Sequence, residues 1–171
     1  VNTHNGRFEF YDECVMTDPV AYGYGKIPVK SVFEKSSNIG TSRLTFLHFN
    51  DKPQKFLDYL DRFGLSQPLG FQLLGEGTPY VNKPGELGWS GCSLPWMSIG
   101  YELKISPLQL LNFYNAVANN GQLIMPIIVK EIQRDHLPME QFHTRVINQQ
   151  ICSPKTLSVV KELLEGVVER G

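Results

Sequence analysis

The sequence has no long hydrophobic run and no excess of charge of one sign. Its longer apolar stretches, such as residues 123–129, fall far short of the roughly 20 residues that a membrane-spanning helix needs. The 16 lysines and arginines nearly balance the 17 aspartates and glutamates, and the formal net charge is -1. We therefore expect no membrane span in this chain and no nucleic-acid partner, because nucleic-acid binding needs a concentrated basic surface.

Cysteine and histidine are also scarce, and neither is spaced for metal binding. The three cysteines lie far apart and outside any Cys-x-x-Cys pair, at Cys14, Cys92 and Cys152. The four histidines share no ligand spacing either; they are His4, His48, His136 and His143. Because structural zinc sites use closely paired ligands, we expect no metal and no cofactor. The odd number of dispersed cysteines favours free or buried thiols over a disulfide framework.

What the sequence does contain is enough apolar material for a folded core. Hydrophobic residues make up 42% of the 171 residues and charged residues 19%, which is typical of a globular chain rather than a disordered one. This length fits one domain or a large part of one. The chain starts abruptly at Val1-Asn2-Thr3 and ends abruptly at Arg170-Gly171. We therefore expect residues 1–171 to be a piece of a single domain.

Local patterns predict an α+β chain that is predominantly helical and has short strands. Residues 7–16 have the alternation of a hairpin, with its turn at Asp12-Glu13. Helices are predicted from about residue 28, over 39–48, from Pro53 towards Gly64, from Ser106-Pro107 to Asn120-Gly121, and from Ser153-Pro154 onwards. Further strands are predicted at 127–132 and 145–151, with an exposed loop at 133–143 and a long irregular segment at 64–98.

The tripeptide Ser36-Ser37-Asn38 carries the clearest chemical signal. It lies between two predicted helices, and at such a tight break residues i and i+2 can point the same way into a cleft. A serine hydroxyl there can relay a proton, and an asparagine amide can both donate and accept a hydrogen bond. The pattern is common, however, and a capping turn between two helices is the simpler explanation of the tripeptide alone.

Further sequence segments, before and after the tripeptide, carry the same family pattern over nearly the whole chain. Residues 29–41 read VKSVFEKSSNIGT, and they are accompanied in order by VNTHNG at 1–6, GYELKISPLQL at 100–110, AVANNG at 116–121, and Ser153-Pro154 with LLEGVV at 163–168. Together these segments resemble the transpeptidase domain of class B penicillin-binding proteins, whose second motif is Ser-x-Asn. The overall character is closest to the division-type monofunctional transpeptidases.

The resemblance implies a fold and a reaction. The fold is a five-stranded sheet covered by helices with a helical subdomain beside it, and this chain would supply mainly the helical part. The reaction is D,D-transpeptidation, in which a serine attacks a D-Ala-D-Ala stem peptide and the acyl-enzyme passes its acyl group to an amine of a second strand. Penicillins would mimic the donor and trap the acyl-enzyme.

The same resemblance implies site residues. Ser36 is expected to take part in proton transfer around the acylating serine and the leaving group. Asn38 is expected to hydrogen-bond the substrate amide and the motif lysine. Ser37 and Tyr101 are assigned to substrate binding: Ser37 is the variable middle residue, expected to act mainly by position, and Tyr101 resembles an aromatic that lines the substrate cleft.

Two departures from the family pattern bear on activity. The chain contains no Lys-Thr-Gly or Lys-Ser-Gly, and its one Ser-x-x-Lys, at 158–161, follows the Ser-x-Asn tripeptide instead of preceding it. The family places its Ser-x-x-Lys upstream of Val1 and its Lys-Thr-Gly downstream of Gly171. The isolated chain is therefore expected to be inactive, because losing a nucleophile costs orders of magnitude in rate. Glu102 stands where family members often carry glycine, and we expect it to face solvent.

Partners and location also follow from the resemblance. The expected partners are peptidoglycan stem peptides, β-lactam antibiotics, and proteins of cell division and cell-wall synthesis. The parent protein is expected in the periplasm, anchored to the inner membrane. Two alternatives remain open: a non-catalytic scaffold that keeps the fold, and a β-lactamase or β-lactam sensor of the same superfamily. The sensor pattern is Ser-x-Val, so Asn38 counts against the second.

Overall fold

A computed structural model describes residues 1–11 and 14–171 and shows an α+β chain. The helices are α1 (Val29–Glu34), α2 (Asn38–Phe49), α3 (Pro53–Arg62), α4 (Ser93–Met97), α5 (Pro107–Ala118) and α6 (Pro154–Arg170). The strands are β1 (Arg7–Phe10), β2 (Cys14–Thr17), β3 (Tyr80–Val81), β4 (Leu103–Lys104), β5 (Leu123–Ile124), β6 (Glu131–Arg134), β7 (Leu137–Gln141) and β8 (Val146–Asn148). Within the described ranges the strands pair two by two and antiparallel: β1 with β2, β3 with β4, β5 with β8, and β6 with β7.

The chain divides into two compact units. The first comprises Val1–Asp58, Tyr80–Lys104 and Val159–Gly171, and the second comprises Tyr59–Pro79 and Ile105–Ser158. The predicted hairpin at 7–16 is confirmed in the first unit, where β1 and β2 pair with Phe8 opposite Met16. The predicted turn at Asp12-Glu13 lies outside the described residues.

The core of the first unit contains a disulfide that the sequence analysis did not predict. Cys14 and Cys92 are bonded, with their Cα atoms 6.0 Å apart, and both are buried in one cluster with Phe10, Met16 and Ile39. The prediction of free or buried thiols is therefore wrong for this pair. The two cysteines are 78 positions apart in sequence, and they become neighbours only because α2 packs against both β2 and α4. Cys152 is the free cysteine in the described part of the chain.

The last turns of α6 are fixed against α1 in the same unit. Glu34 is only 6% exposed, and its Oε1 accepts hydrogen bonds from Nε and Nη2 of Arg170, at 3.3 and 2.8 Å. This hydrogen bonding raises the pKa of Arg170. Glu34 also occupies the space that a Cβ atom at Gly166 would need, so the glycine allows α1 and α6 to approach closely. Nearer the start of both helices, Lys30 and Glu162 form a more exposed ion pair at 2.5 Å.

The second unit is organised around α5. Ser106 caps this helix and Pro107 is its first residue, as predicted, and Gln109 completes a reciprocal capping box with Ser106. The Gln109 side chain is buried, and its Nε2 donates to the carbonyl of Gln67 at 2.9 Å. The Gln109 side chain thus links α5 to the irregular segment that follows α3.

Two predictions of local structure are corrected in this unit. The strand predicted at 127–132 is observed only at 131–132, the start of β6, and residues 127–130 are not a strand. At 128–129 the side chain of Gln72 takes the place of a neighbouring strand. Its Oε1 accepts from the amides of Ile128 and Val129, at 2.8 and 3.0 Å, and its Nε2 donates to the Val129 carbonyl. The expected loop at 133–143 is instead largely the exposed β6–β7 hairpin.

Candidate functional site

The tripeptide forms a tight turn between α1 and α2. The amide of Ser36 donates to the carbonyl of Phe33 at 3.1 Å, and the amide of Ser37 donates to that of Val32 at 3.0 Å. Ser36 has a left-handed backbone with φ of 50°, which is costly for a residue with a side chain and is enriched at functional sites. Its side chain is exposed, so the turn presents the Ser36 hydroxyl at the surface.

Ser37 points the opposite way, into the protein. It is the N-cap of α2, and its Oγ accepts from the amide of Gly40 at 3.0 Å. The same hydroxyl donates to Oδ1 of Asp18 at 2.9 Å, and the residue is fully buried. This placement differs from the expectation that Ser37 binds substrate, because its hydroxyl is enclosed and already bonded. As the N-cap, Ser37 fixes the start of the helix that carries Asn38.

Asp18 is a site residue that the sequence analysis missed. Its carboxylate is buried, and Oδ1 accepts from both the Ser37 hydroxyl and the amide of Ile39, at 2.9 and 3.0 Å. A carboxylate at this end of a helix is also stabilised by the free N–H groups and the helix dipole. In the sequence, Thr17-Asp18-Pro19 indicated only a loop, and no spacing rule connects Asp18 with a turn about twenty residues later.

Asn38 and Tyr101 line one cavity. The side-chain amide of Asn38 donates to the carbonyl of Thr17 at 2.9 Å, which fixes its orientation while using one of its two N–H donors. The cavity has a volume of about 300 Å³, and its lining residues are Val15, Met16, Thr17, Asn38, Trp96, Ile99 and Tyr101. Ser36 is not among these residues, so the structure brings together Asn38 and Tyr101 but places Ser36 outside this wall.

An aromatic pair forms one side of this cavity. The rings of Trp96 and Tyr101 meet edge to face, with centroids 5.1 Å apart, a favoured geometry for aromatic contacts. Trp96 is half-buried and also packs against the core of its unit, whereas Tyr101 is 60% exposed. The half-buried ring therefore supports the exposed ring of Tyr101 at the edge of the cavity.

Glu102 does not simply face solvent, contrary to expectation. It is half-buried, and its Oε2 accepts from the side-chain amide of Asn82 at 2.7 Å. Its carbonyl accepts from the Asn82 backbone amide at 3.1 Å. The backbone of Glu102 is left-handed, with φ of 57°, a conformation that glycine adopts without cost. The hydrogen bonds to Asn82 therefore stabilise glutamate at a position whose backbone conformation favours glycine.

The described residues do not form a metal site or a membrane-spanning helix. Among residues 1–11 and 14–171, no group of three or more histidine, cysteine, aspartate or glutamate side chains is placed to hold a metal ion. Within the same ranges, no helix combines the length and the apolar character that crossing a membrane requires. The cavity beside Asn38 is the candidate site because the tripeptide residue Asn38 lines it together with Tyr101.

Comparison with known proteins identifies the family. The model of the penicillin-binding protein transpeptidase domain matches residues 12–171, and the chain belongs to this family. Penicillin-binding protein PbpB of Mycobacterium tuberculosis is 33% identical over 153 residues, which are 88% of this chain and 22% of PbpB. Peptidoglycan D,D-transpeptidase FtsI of Buchnera aphidicola subsp. Schizaphis graminum is 29% identical over 154 residues, covering 90% of this chain and 26% of FtsI.

A solved structure supports the same assignment. Penicillin-binding protein 3 from Mycobacterium tuberculosis, in complex with aztreonam, superposes with a TM-score of 0.79 at 30% identity, over 98% of this chain and 36% of that one. The chain thus has the α+β fold of part of a penicillin-binding transpeptidase domain. It spans only about a quarter of the curated relatives described above.

Proposed function

We propose that the full-length protein is a serine D,D-transpeptidase that cross-links peptidoglycan stem peptides, and that this chain supplies the second motif and one wall of its cleft. One observation carries the proposal: the Ser36-Ser37-Asn38 turn holds Asn38 at a cavity shared with Tyr101, in a chain of the transpeptidase family. The fragment is a partial domain, mostly the helical subdomain, between the Ser-x-x-Lys and Lys-Thr-Gly motifs.

Each motif residue has a separate role in this proposal. The Asn38 amide, already oriented by its bond to the Thr17 carbonyl, hydrogen-bonds the substrate amide and the lysine of the first motif. The exposed Ser36 hydroxyl relays a proton between the acylating serine and the leaving group. Ser37 positions both neighbours through its buried hydrogen bonds. The Tyr101 ring provides an apolar surface for the donor peptide.

The nucleophile belongs to a part of the protein outside residues 1–171, since no Ser-x-x-Lys precedes Ser36. The one Ser-x-x-Lys of the chain, at 158–161, lies downstream on α6 and so has the wrong order for the family's first motif. The acyl donor is a D-Ala-D-Ala stem peptide, and β-lactams are trapped as acyl-enzymes. The structure of a relative with aztreonam supports β-lactam binding, and the FtsI name of another relative supports a role beside division and cell-wall synthesis proteins. The parent protein acts outside the cytoplasm, anchored to the bacterial inner membrane.

A fluorescent penicillin tests the proposal. The full-length protein should form a covalent adduct, and residues 1–171 alone should form none. Asn38→Ala in the full-length protein should lower the second-order acylation rate constant by about 100-fold, the usual cost of removing one well-placed hydrogen-bonding group at an acyl-transfer site. Asn115→Ala makes the same change at an exposed position of α5, and it should leave the rate unchanged.

Two results would favour the alternatives. If the full-length protein forms no adduct, the scaffold hypothesis replaces the enzyme. If it forms an adduct that hydrolyses within seconds, a β-lactamase replaces the transpeptidase. An adduct that is stable but unaffected by Asn38→Ala would remove Asn38 from the site while leaving the reaction class in place.

A further inference from the structure

The disulfide joins two of the elements that line the proposed cleft. Cys14 is the first residue of β2, and Cys92 directly precedes α4. Their exposures are only 3% and 8%. The next three residues after Cys14, at 15–17, line the cavity, and so does Trp96 on α4. The bond therefore connects the strand on one side of the cavity to the helix that carries its aromatic side.

The second motif depends on both of these walls. Asn38 is held by the carbonyl of Thr17, the last residue of β2. Ile39, the next residue along α2, is fully buried in the same cluster as the two bonded cysteines. Tyr101 is tied to α4 through its amide, which donates to the carbonyl of Trp96 at 3.1 Å. A change in the spacing of β2 and α4 would therefore displace Asn38 and Tyr101 together.

Neither wall is stable by itself. β1 and β2 form a two-stranded hairpin with four residues in each strand, and isolated two-stranded hairpins are marginal in water. α4 has five residues, far below the length at which a helix is stable alone. A covalent bond between two such short elements limits their separation in a way that their own hydrogen bonds do not.

We propose that the Cys14–Cys92 disulfide is a positioning element of the acylation cleft, so that the protein reacts efficiently with acyl donors only after this bond has formed. The inference rests on the proposed transpeptidase function. Formation of the bond removes two protons and two electrons from the two thiols. A disulfide oxidant takes them up and leaves as two thiols, and a dithiol reductant reverses the exchange. The consequence is an enzyme whose activity requires an oxidising compartment.

The test compares three forms of the full-length protein: oxidised wild type, Cys14→Ser/Cys92→Ser, and Cys152→Ser as the matched control. Acylation by fluorescent penicillin should be slower in the double variant by about 10- to 100-fold, the range expected when reacting groups are misplaced by an ångström or less. Cys152→Ser should react at the wild-type rate. Dithiothreitol reduction of the wild type, verified by alkylation and mass spectrometry, gives a thiol form with unchanged sequence.

Hydrogen exchange gives a readout that does not depend on acylation. In the thiol forms, the amides of residues 15–17 and 38–40 should exchange faster by about tenfold or more, while those of α5 keep their protection. The inference is overturned if the folded thiol forms keep the acylation rate of the oxidised protein, or if they keep its exchange pattern. Loss of protection over the whole chain at once would also overturn it, because the bond would then act on global stability alone.

The same two measurements separate this inference from the proposed function. If oxidised wild type forms no penicillin adduct, the transpeptidase function fails. The exchange comparison still decides whether the disulfide holds the walls of the cavity. If oxidised wild type is acylated and the double variant is acylated equally fast, the function stands and the positioning role is lost.

Discussion

Gly40→Ala tests how closely the two helices around the motif are packed. Gly40 lies in the first turn of α2, and a Cβ atom added there would meet both Cγ atoms of Val32, at 2.6 and 2.7 Å, and Oγ of Ser37 at 3.0 Å. Val32 is 2% exposed, so it has no free space to move into. Rotation about its Cα–Cβ bond gives little relief because the side chain is branched at Cβ.

Two effects oppose each other in this substitution. Alanine is favoured over glycine within a helix by about 1 kcal/mol. Forcing a methyl group into a packed site costs about 1–3 kcal/mol, and disturbing the Ser37 cap costs about 1 kcal/mol more. We therefore expect a net destabilisation of about 1–3 kcal/mol, together with slower acylation because the strain lies next to Asn38.

Urea unfolding followed by tryptophan fluorescence measures the change, and a second substitution identifies its cause. Val32→Ala leaves room for the new methyl group, so the double variant should lose less stability than the sum of the two single variants. Gly77→Ala is the matched control, since a Cβ atom there meets nothing within 4 Å, and it should be neutral or slightly stabilising. If Gly40→Ala stabilises the protein, or if the two substitutions are strictly additive, the steric reasoning is refuted.

Two further predictions concern carboxylates. Asp18→Asn should destabilise the protein by about 1–3 kcal/mol, because the Ser37 hydroxyl and the Ile39 amide lose a charged acceptor. The variant should also be acylated more slowly. A folded variant that is acylated at the wild-type rate would contradict this prediction. The hydrogen bond and charge of Lys30 lower the pKa of Glu162. The contribution of this ion pair to the stability of the protein is therefore complete above the ordinary glutamate pKa. It disappears as the pH falls through the lowered pKa of Glu162. Glu162→Gln should reduce the fall in melting temperature below pH 4.5, and an unchanged pH profile would contradict the assignment.

The features that could be predicted from sequence are those with local physical signals. Ser106-Pro107 marks the start of α5, because a serine side chain can cap a free amide and proline lacks one. Helix α2 was predicted over 39–48 and is observed over Asn38–Phe49. The turn at Ser36-Ser37-Asn38 was predicted on the same kind of evidence, and the family resemblance gave it a function.

The features that sequence could not reveal depend on long-range contacts. The Cys14–Cys92 bond, the Asp18 carboxylate under α2 and the Gln72 side chain bonded to residues 128–129 all join positions about twenty to eighty residues apart. Neither periodicity nor capping rules act over such distances. The inward orientation of Ser37 has a similar origin, because its burial is decided by Asp18 on a different element.

The start of α2 is held by three independent contacts of different physical kinds. Close packing against α1 fixes Gly40, the buried Asp18 carboxylate holds Ser37 and Ile39, and the disulfide cluster encloses Ile39. Such redundancy is more than one capped helix needs, because a single N-cap already satisfies a free amide. The proposed acyl-transfer function would explain it, since hydrogen-bonding groups stabilise a transition state most when they are already in place before the reaction. If one contact is weakened, the other two should keep the domain folded, while Asn38 shifts slightly and acylation slows.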